Sequence, residues 1–173
     1  VKAFSGVGAG SLSDPYQIYN CTQLQEMNTA RTSNFILVAD IDCNDTLNWN
    51  GGQGFAPVQL SGSLDGRNHS ITGLYINRPT EYAVGLFNFT ESATFIKNIR
   101  LLNGEFTAGQ VAITGQKNVG ALAGELRTPT IVKNVHSELN VRNDPQDGTG
   151  GYAGGLVGLL RSSISESSST GNV

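Results

Sequence analysis

Charge is scarce in this chain: Asp, Glu, Lys and Arg make up 14% of 173 residues, with a formal net charge of −3. No basic patch exists, so no nucleic-acid partner is expected. Nor is there any run of about 18 apolar residues, so no membrane-spanning helix is expected. Cysteine is scarce as well, with two in the chain, and there is one Met and one Trp. By contrast Gly is plentiful at 22, and Asn, Ser and Thr fill much of the remainder. That balance describes a turn-rich all-β protein, because Gly and Asn supply the positive φ that tight corners require. The length suffices for one domain with a buried core.

Self-similarity is the strongest signal. Tyr82-Ala-Val-Gly-Leu-Phe87, Lys117-Asn-Val-Gly-Ala-Leu122 and Ala153-Gly-Gly-Leu-Val157 recur about every 35 residues, the mark of a stacked repeat whose units cover each other's apolar faces. Each block is followed by a second related stretch: Phe95-Ile-Lys-Asn-Ile-Arg-Leu101, Ile131-Val-Lys-Asn-Val-His-Ser137 and Ser163-Ile-Ser-Glu-Ser-Ser-Ser169. A shorter copy reads as Gly62-Ser-Leu-Asp-Gly66 followed by His69-Ser-Ile-Thr-Gly-Leu-Tyr-Ile76. Superposition predicts one column of Ile71, Ile96, Val132 and Ile164 and another of Leu74, Ile99, Val135 and Ser167. Short alternating strands at this period suit a coil whose rungs pair in parallel, at nearly 5 Å spacing. Asn98 and Asn134, both in Lys-Asn, are placed to form a hydrogen-bonded ladder at a turn. Glycines of the Val-Gly blocks mark a corner or a narrow interior position.

Ahead of the repeats, Gly6, Gly8 and Gly10 form a flexible lead-in, and Tyr16-Gln-Ile-Tyr19 alternates as a short strand does. Thr22 and Gln25 read as a capping box, with Leu24, Met27 and Ala30 on one face of a helix running to about Arg31. Phe35-Ile-Leu-Val-Ala39 is a buried-strand run that Ile41 extends, and residues 43–54 read as polar loop. The expected organisation is an N-terminal cap segment over residues 1–54 and β-helix repeats over 55–173, forming one continuous domain. A start at Val1 and a stop at Val173 in mid-repeat are what a piece of a longer or processed chain would show.

The series Phe4-Ser-Gly, Asp14-Pro-Tyr-Gln-Ile18, Gln23-Leu24, Ala39-Asp-Ile-Asp42, Gly62-Ser-Leu-Asp-Gly66, His69-Ser-Ile-Thr-Gly-Leu74 and the Val-Gly-Leu blocks resembles the GLUG-motif family of surface proteins. Its tetrapeptide, Gly-Leu-hydrophobic-Gly, is complete at Gly155-Leu-Val-Gly158 and degenerate at Gly85-Leu-Phe-Asn88 and Gly120-Ala-Leu-Ala123. The resemblance implies a right-handed parallel β-helix with an N-terminal cap, in large secreted or cell-surface microbial proteins that include adhesins and non-catalytic regions of surface peptidases. It brings no shared catalytic residues and no cofactor. Family members carry an aliphatic residue where Cys43 stands, so a bridge from Cys21 would be a local addition.

Cys21 and Cys43 lie 22 positions apart. They are either two buried thiols or a disulfide, which in an oxidising compartment would contribute about 3 kcal/mol. N-glycosylation sequons occur at Asn20, Asn44, Asn68 and Asn88, several of which such a composition yields by chance. Asp40, Asp42 and Asn44 resemble the start of a calcium loop, but Asp45 and Gly51 stand where Gly and Glu are needed, so the regular loop fails; the readings left for Asp40, Asp42 and Asp45 are turn hydrogen bonding after a buried strand, the favoured one, and an irregular calcium site. His69 and His136 have no nucleophile at an evident spacing. Asp65 with Glu105, or Asp144 with Asp147, are the carboxylate pairs a glycosidase would need, though turn roles account for them. The charged residues look scattered. Thr128 and Thr130 make one Thr-x-Thr pair without a ladder to follow. Tyr75, Tyr82, Phe89, Tyr152 and the long loop near Asp147 are candidates for an exposed aromatic strip for sugar contacts, against the plainer reading of core or corner packing.

Together these features predict a non-enzymatic extracellular or cell-surface module, structural or adhesive, whose partners are copies of itself, further repeats of the same polypeptide, or surface glycans. No cofactor, metal or catalytic residue is expected. The alternatives are a carbohydrate-active β-helix lyase or hydrolase, and a glycan-binding module.

Overall fold

The computed structural model describes residues 4–92, 95–107 and 109–173, so the first three residues of the expected cap segment lie outside it. Strands of two to eight residues wind into a parallel β-solenoid of about four turns, as the repeats predict. A long sheet runs Tyr16–Ile18, Asn34–Leu37, Ser63–Asp65, Phe95–Leu102, Ile131–Ser137 and Ser163–Ser165, with Ile41–Asp42, Ser70–Thr72 and Ser168–Ser169 attached beside it. Three shorter sheets complete the coil: Ile76–Arg78, Ile113–Gly115 and Val141–Asn143; then Ala83–Val84, Asn118–Gly120 and Tyr152–Gly154; then Val58–Leu60, Phe87–Thr90, Ala123–Leu126 and Val157–Leu160. The pairings between these strands are parallel throughout.

Register builds the core. Phe35 stands over Leu64, Leu64 over Ile96, Ile96 over Val132 and Val132 over Ile164. The first four of these side chains are sealed from solvent, each aliphatic one contributing about 1.5–3 kcal/mol by burial. Ile99 pairs with Val135 as expected. Ile71 does not join the Ile96 column; it stands between Ile41 and Leu101. The cause is the Gly66–His69 turn, closed by a bond from His69 N–H to Gly66 O at 2.8 Å, which splits one long strand into Ser63–Asp65 and Ser70–Thr72. That insertion displaces the apolar spacing from which a sequence superposition is built.

At the N-terminal side, a helix over Cys21–Glu26 continues as a 3-10 turn over Met27–Thr29, ending two residues before Arg31. Its cap is Asn20 rather than Thr22: Asn20 Oδ1 accepts the Gln23 N–H at 2.9 Å, and Gln23 Oε1 accepts the Tyr19 N–H at 2.8 Å. Gln25 is drawn elsewhere, exchanging two 2.8 Å bonds with the Ala56 backbone. Buried Leu24 and Met27 lie in the same apolar core as Ile18 and Leu37. Cys21 and Cys43 form a disulfide, with Cα atoms 5.3 Å apart, fastening the helix to the chain after Ile41–Asp42. The expected polar loop after Cys43 is a 3-10 segment over Asn44–Gly52, broken at Trp49, whose ring stacks 6.5 Å from Phe55.

Two corner devices repeat along the stack. Asn98 (φ 56°) and Asn134 (φ 54°) both adopt the left-handed conformation, and Asn134 Nδ2 donates to Asn98 Oδ1 at 2.9 Å and Asn68 Oδ1 at 3.3 Å. The expected ladder therefore has three members, with Asn68 as the third. At another corner, a Cβ on Gly85 would strike Gly120 O, and one on Gly120 would strike Leu156 O, so backbone approach between coils demands glycine there.

Burial alternates within Ile131–Ser137, where Ile131 is 54% exposed and Val132 is fully buried. Ile96→Ala should therefore cost about 2–5 kcal/mol in urea denaturation, whereas Ile131→Ala should change stability by less than about 0.5 kcal/mol.

Candidate functional site

The coil geometry gathers side chains that are far apart in sequence onto one outer face. Glu125 pairs in register with Phe89 and with Leu159. Its carboxylate, almost wholly covered, accepts from Arg127 Nε at 3.2 Å and forms an ion pair with Arg161, whose Nε lies 3.2 Å away. Arg127 also reaches Glu91 at 3.2 Å, Glu91 accepts from Gln59 Nε2 at 2.6 Å, and Gln59 Oε1 accepts from Arg31 at 3.0 Å. A continuous polar ladder thus runs along the stack from Arg31 to Arg161. The charged residues are not scattered on this face. Arg31, Gln59, Glu91, Arg127 and Arg161 recur at about the repeat period, a signal readable only once the period is applied to polar residues too.

Beside this ladder lies a depression of about 260 Å³ lined by Glu81, Tyr82, Ala83, Asn88, Phe89, Glu125 and Arg127. The Arg127 guanidinium stands 4.2 Å from the Phe89 ring centroid, within cation–π range. Tyr82 is 59% exposed, with Lys117 Nζ 6.0 Å from its ring centroid. Asn88 Oδ1 accepts the Phe89 N–H at 2.8 Å, and Glu81 accepts from Arg78 at 2.6 Å. Tyr82 and Phe89 therefore line one depression, but the four aromatics do not form one strip. Tyr75 packs 6.3 Å from Phe106, and Tyr152 lies outside the depression.

The remaining sequence candidates fall into separate places. Asp40 accepts the Ser70 N–H at 2.8 Å, which holds its carboxyl below the usual range, and His69 Nδ1 lies 3.3 Å away. Asp42 Oδ1 accepts from Asn44 N and Nδ2, at 2.9 and 2.8 Å. Asp45 is held low by Asn48 Nδ2 and Trp49 Nε1, both at 3.1 Å. Asp42 and Asp45 carry the local turn hydrogen bonds expected of them, whereas Asp40 bonds across to the neighbouring coil, and no group of three metal-ligating residues occurs among the described residues. His136 Nδ1 lies 2.8 Å from Ser168 Oγ, while Glu138 is 3.9 Å from Nε2, beyond hydrogen-bond reach.

Asp65 and Glu105 line different depressions. Asp144 pairs with Arg142 at 3.8 Å, and Asp147 with Lys117 at 3.6 Å. Thr149 Oγ1 and N–H, at 2.6 and 3.0 Å, hold Asp147 low. Thr130 is fully buried and donates to Thr90 Oγ1 at 2.8 Å, so it faces inward. Among the sequons, Asn20 and Asn68 are exposed and Asn88 edges the depression. Asn44 is half-buried, its Nδ2 given to Asp42, and its sequon partner Thr46 is fully buried.

Comparison with known proteins places this chain beside segments of much longer ones. No protein-family model matches it. It is 33% identical over 183 residues to halomucin of Haloquadratum walsbyi, covering 95% of this chain and 2% of halomucin. To a protein of Evansella cellulosilytica named as a Gly-rich membrane protein it is 30% identical over 146 residues, covering 80% of this chain and 16% of that protein. Among solved structures, a chain from Bacteroides ovatus described as an immunoglobulin A1 protease aligns over 96% of this chain and 69% of its own length, with 18% identity and a TM-score of 0.40.

Asp65 offers a pH test. Burial alone would raise its pKa, but the Arg67 N–H at 2.9 Å, the Asn98 amide at 3.0 Å and Lys97 at 3.4 Å outweigh it and hold it low. A lowered folded pKa contributes stability that is complete above the unfolded value and is lost as pH falls through the folded one. Asp65→Asn should therefore cost about 1–2 kcal/mol at neutral pH. In urea denaturation the gap to wild type should close as pH falls below about 4.

Proposed function

We propose that this chain is a non-enzymatic structural or adhesive module of a large extracellular or cell-surface protein, in which its coils form one stretch of a longer assembly. The observation that carries the reading is the halomucin match, which takes in 95% of this chain within 2% of that protein. The second relative, also far longer than the match and named for a membrane, supports the same reading. A disulfide between Cys21 and Cys43 favours an oxidising compartment. The ordered motifs of the GLUG pattern, set on parallel coils that stack in register, support grouping the chain with that family.

The physical basis is the additive character of the stack: strands pair in parallel and in register from coil to coil, so a solenoid of this kind extends by repetition. Against a catalytic role, Asp65, Asp144 and Asp147 are engaged in turns and ion pairs, and Glu105 lines a different depression from Asp65.

Labelling intact source cells with a membrane-impermeant reagent should mark the protein that bears this chain, and the purified chain should show no turnover on polysaccharide or peptide panels. Turnover that Asp65→Asn, Glu125→Gln or His136→Ala abolishes would replace this reading with an enzymatic one.

A further inference from the structure

We propose that the depression between Tyr82, Phe89 and Arg127 binds a neutral sugar, a terminal residue of a glycan. This goes beyond the structural role and does not depend on it, since the depression is complete within a single chain. Its volume of about 260 Å³ falls just under the range of small-molecule sites, which suits one terminal sugar rather than an extended chain.

Sugars present two kinds of surface: a face of C–H groups, which packs on aromatic rings, and a rim of hydroxyls, which needs donors and acceptors in fixed places. The depression has both. Tyr82 offers an exposed ring, a property it shares with Tyr19 and Tyr152, but of these three only Tyr82 lines the depression. Phe89 adds a second ring, half-buried and braced by the Arg127 guanidinium. Around them, Asn88 keeps its amide N–H groups free of any protein acceptor among the described residues, because only its Oδ1 is used. The Glu81 and Glu125 carboxylates have about four acceptor positions each, more than their arginine partners fill.

Two further properties narrow the ligand. Charges around the depression balance, Glu81 against Arg78, and Glu125 and Glu91 against Arg127 and Arg161, so no net field favours an ionic ligand. Arg127 is fixed by bonds to Glu125 and Glu91 and by the Phe89 ring, all carried on paired strands or next to them. A wall already held in place costs a ligand little ordering entropy, which lets a small, well-hydrated molecule bind measurably. Lys117 Nζ, 6.0 Å from the Tyr82 ring centroid and 3.6 Å from Asp147, lies outside the lining of the depression.

The test is titration of the full chain, followed by calorimetry and by amide chemical shifts. The probes are short neutral oligosaccharides of glucose, galactose and N-acetylglucosamine, with an oligomer of uronic acid as the anionic comparison. One neutral sugar should bind in roughly the micromolar to millimolar range, with shifts centred on Tyr82, Asn88, Phe89 and Arg127. Tyr82→Ala should weaken that binding about tenfold or more. Tyr152→Ala, a change at an equally exposed tyrosine outside the depression, should leave it unaltered. Absence of binding by all the neutral sugars, binding confined to the uronate, or a Tyr82→Ala variant that binds as wild type would each overturn the proposal. None of these outcomes bears on the structural role, which is read from cell-surface labelling and turnover.

Discussion

Every feature of this molecule depends on one constraint: each coil must lie in register over the last, so that backbone hydrogen bonds and side-chain columns close together. A coil alone has an apolar interior and unpaired strand edges, both costly in water. Its neighbour removes both costs at once. Because strand side chains alternate, a slip of one residue would turn Ile96, Val132 and Ile164 outward together. Register is therefore fixed by the whole column rather than by any one contact. The disulfide and the short helix serve the same end, covering the interior where the stack begins with Tyr16–Ile18.

The rule that orders the interior also orders the outside. Stacking places Asn68, Asn98 and Asn134 at one left-handed corner, where Asn134 bridges to both of the others. On another face it turns Arg31, Gln59, Glu91, Arg127 and Arg161 into a ladder of alternating partners. Lys97 and Lys133 face one another in register, and the repulsion is relieved by Asp65 on one side and Glu166 on the other. In a protein so poor in charge, these few ion pairs gain order from the repeat. They are also what shapes the depression beside Tyr82, so its geometry is inherited from the stack.

How much of this could be read in the sequence follows from what each signal measures. Period and alternation measure register directly, which is why the parallel solenoid and the Ile96–Val132–Ile164 column were legible. A turn insertion is invisible to the same reasoning. Gly66–His69 lengthens one coil, and so Ile71 was assigned to the column that Leu64 occupies. The helix cap was misplaced by two residues because Thr22 and Gln25 satisfy the local pattern, while tertiary bonding to Ala56 claims Gln25. Whether Cys21 and Cys43 were bridged depended on how helix and coil approach each other, which spacing alone leaves open. In the depression, Tyr82 and Phe89 were legible as aromatics near a corner. Arg127, Glu125 and Glu91 were missed, because their association spans neighbouring coils and no local motif carries it.

The most direct check on the stack is the distance between neighbouring coils in solution. Lys97 and Lys133 are 36 positions apart in sequence yet are Cα partners in adjacent strands. Spin labels at these two positions, one half-buried and one exposed, in an otherwise native chain, should show strong dipolar broadening, as backbones about 5 Å apart require. Spectra equal to the sum of the two singly labelled chains would contradict the stacked fold and everything built on it.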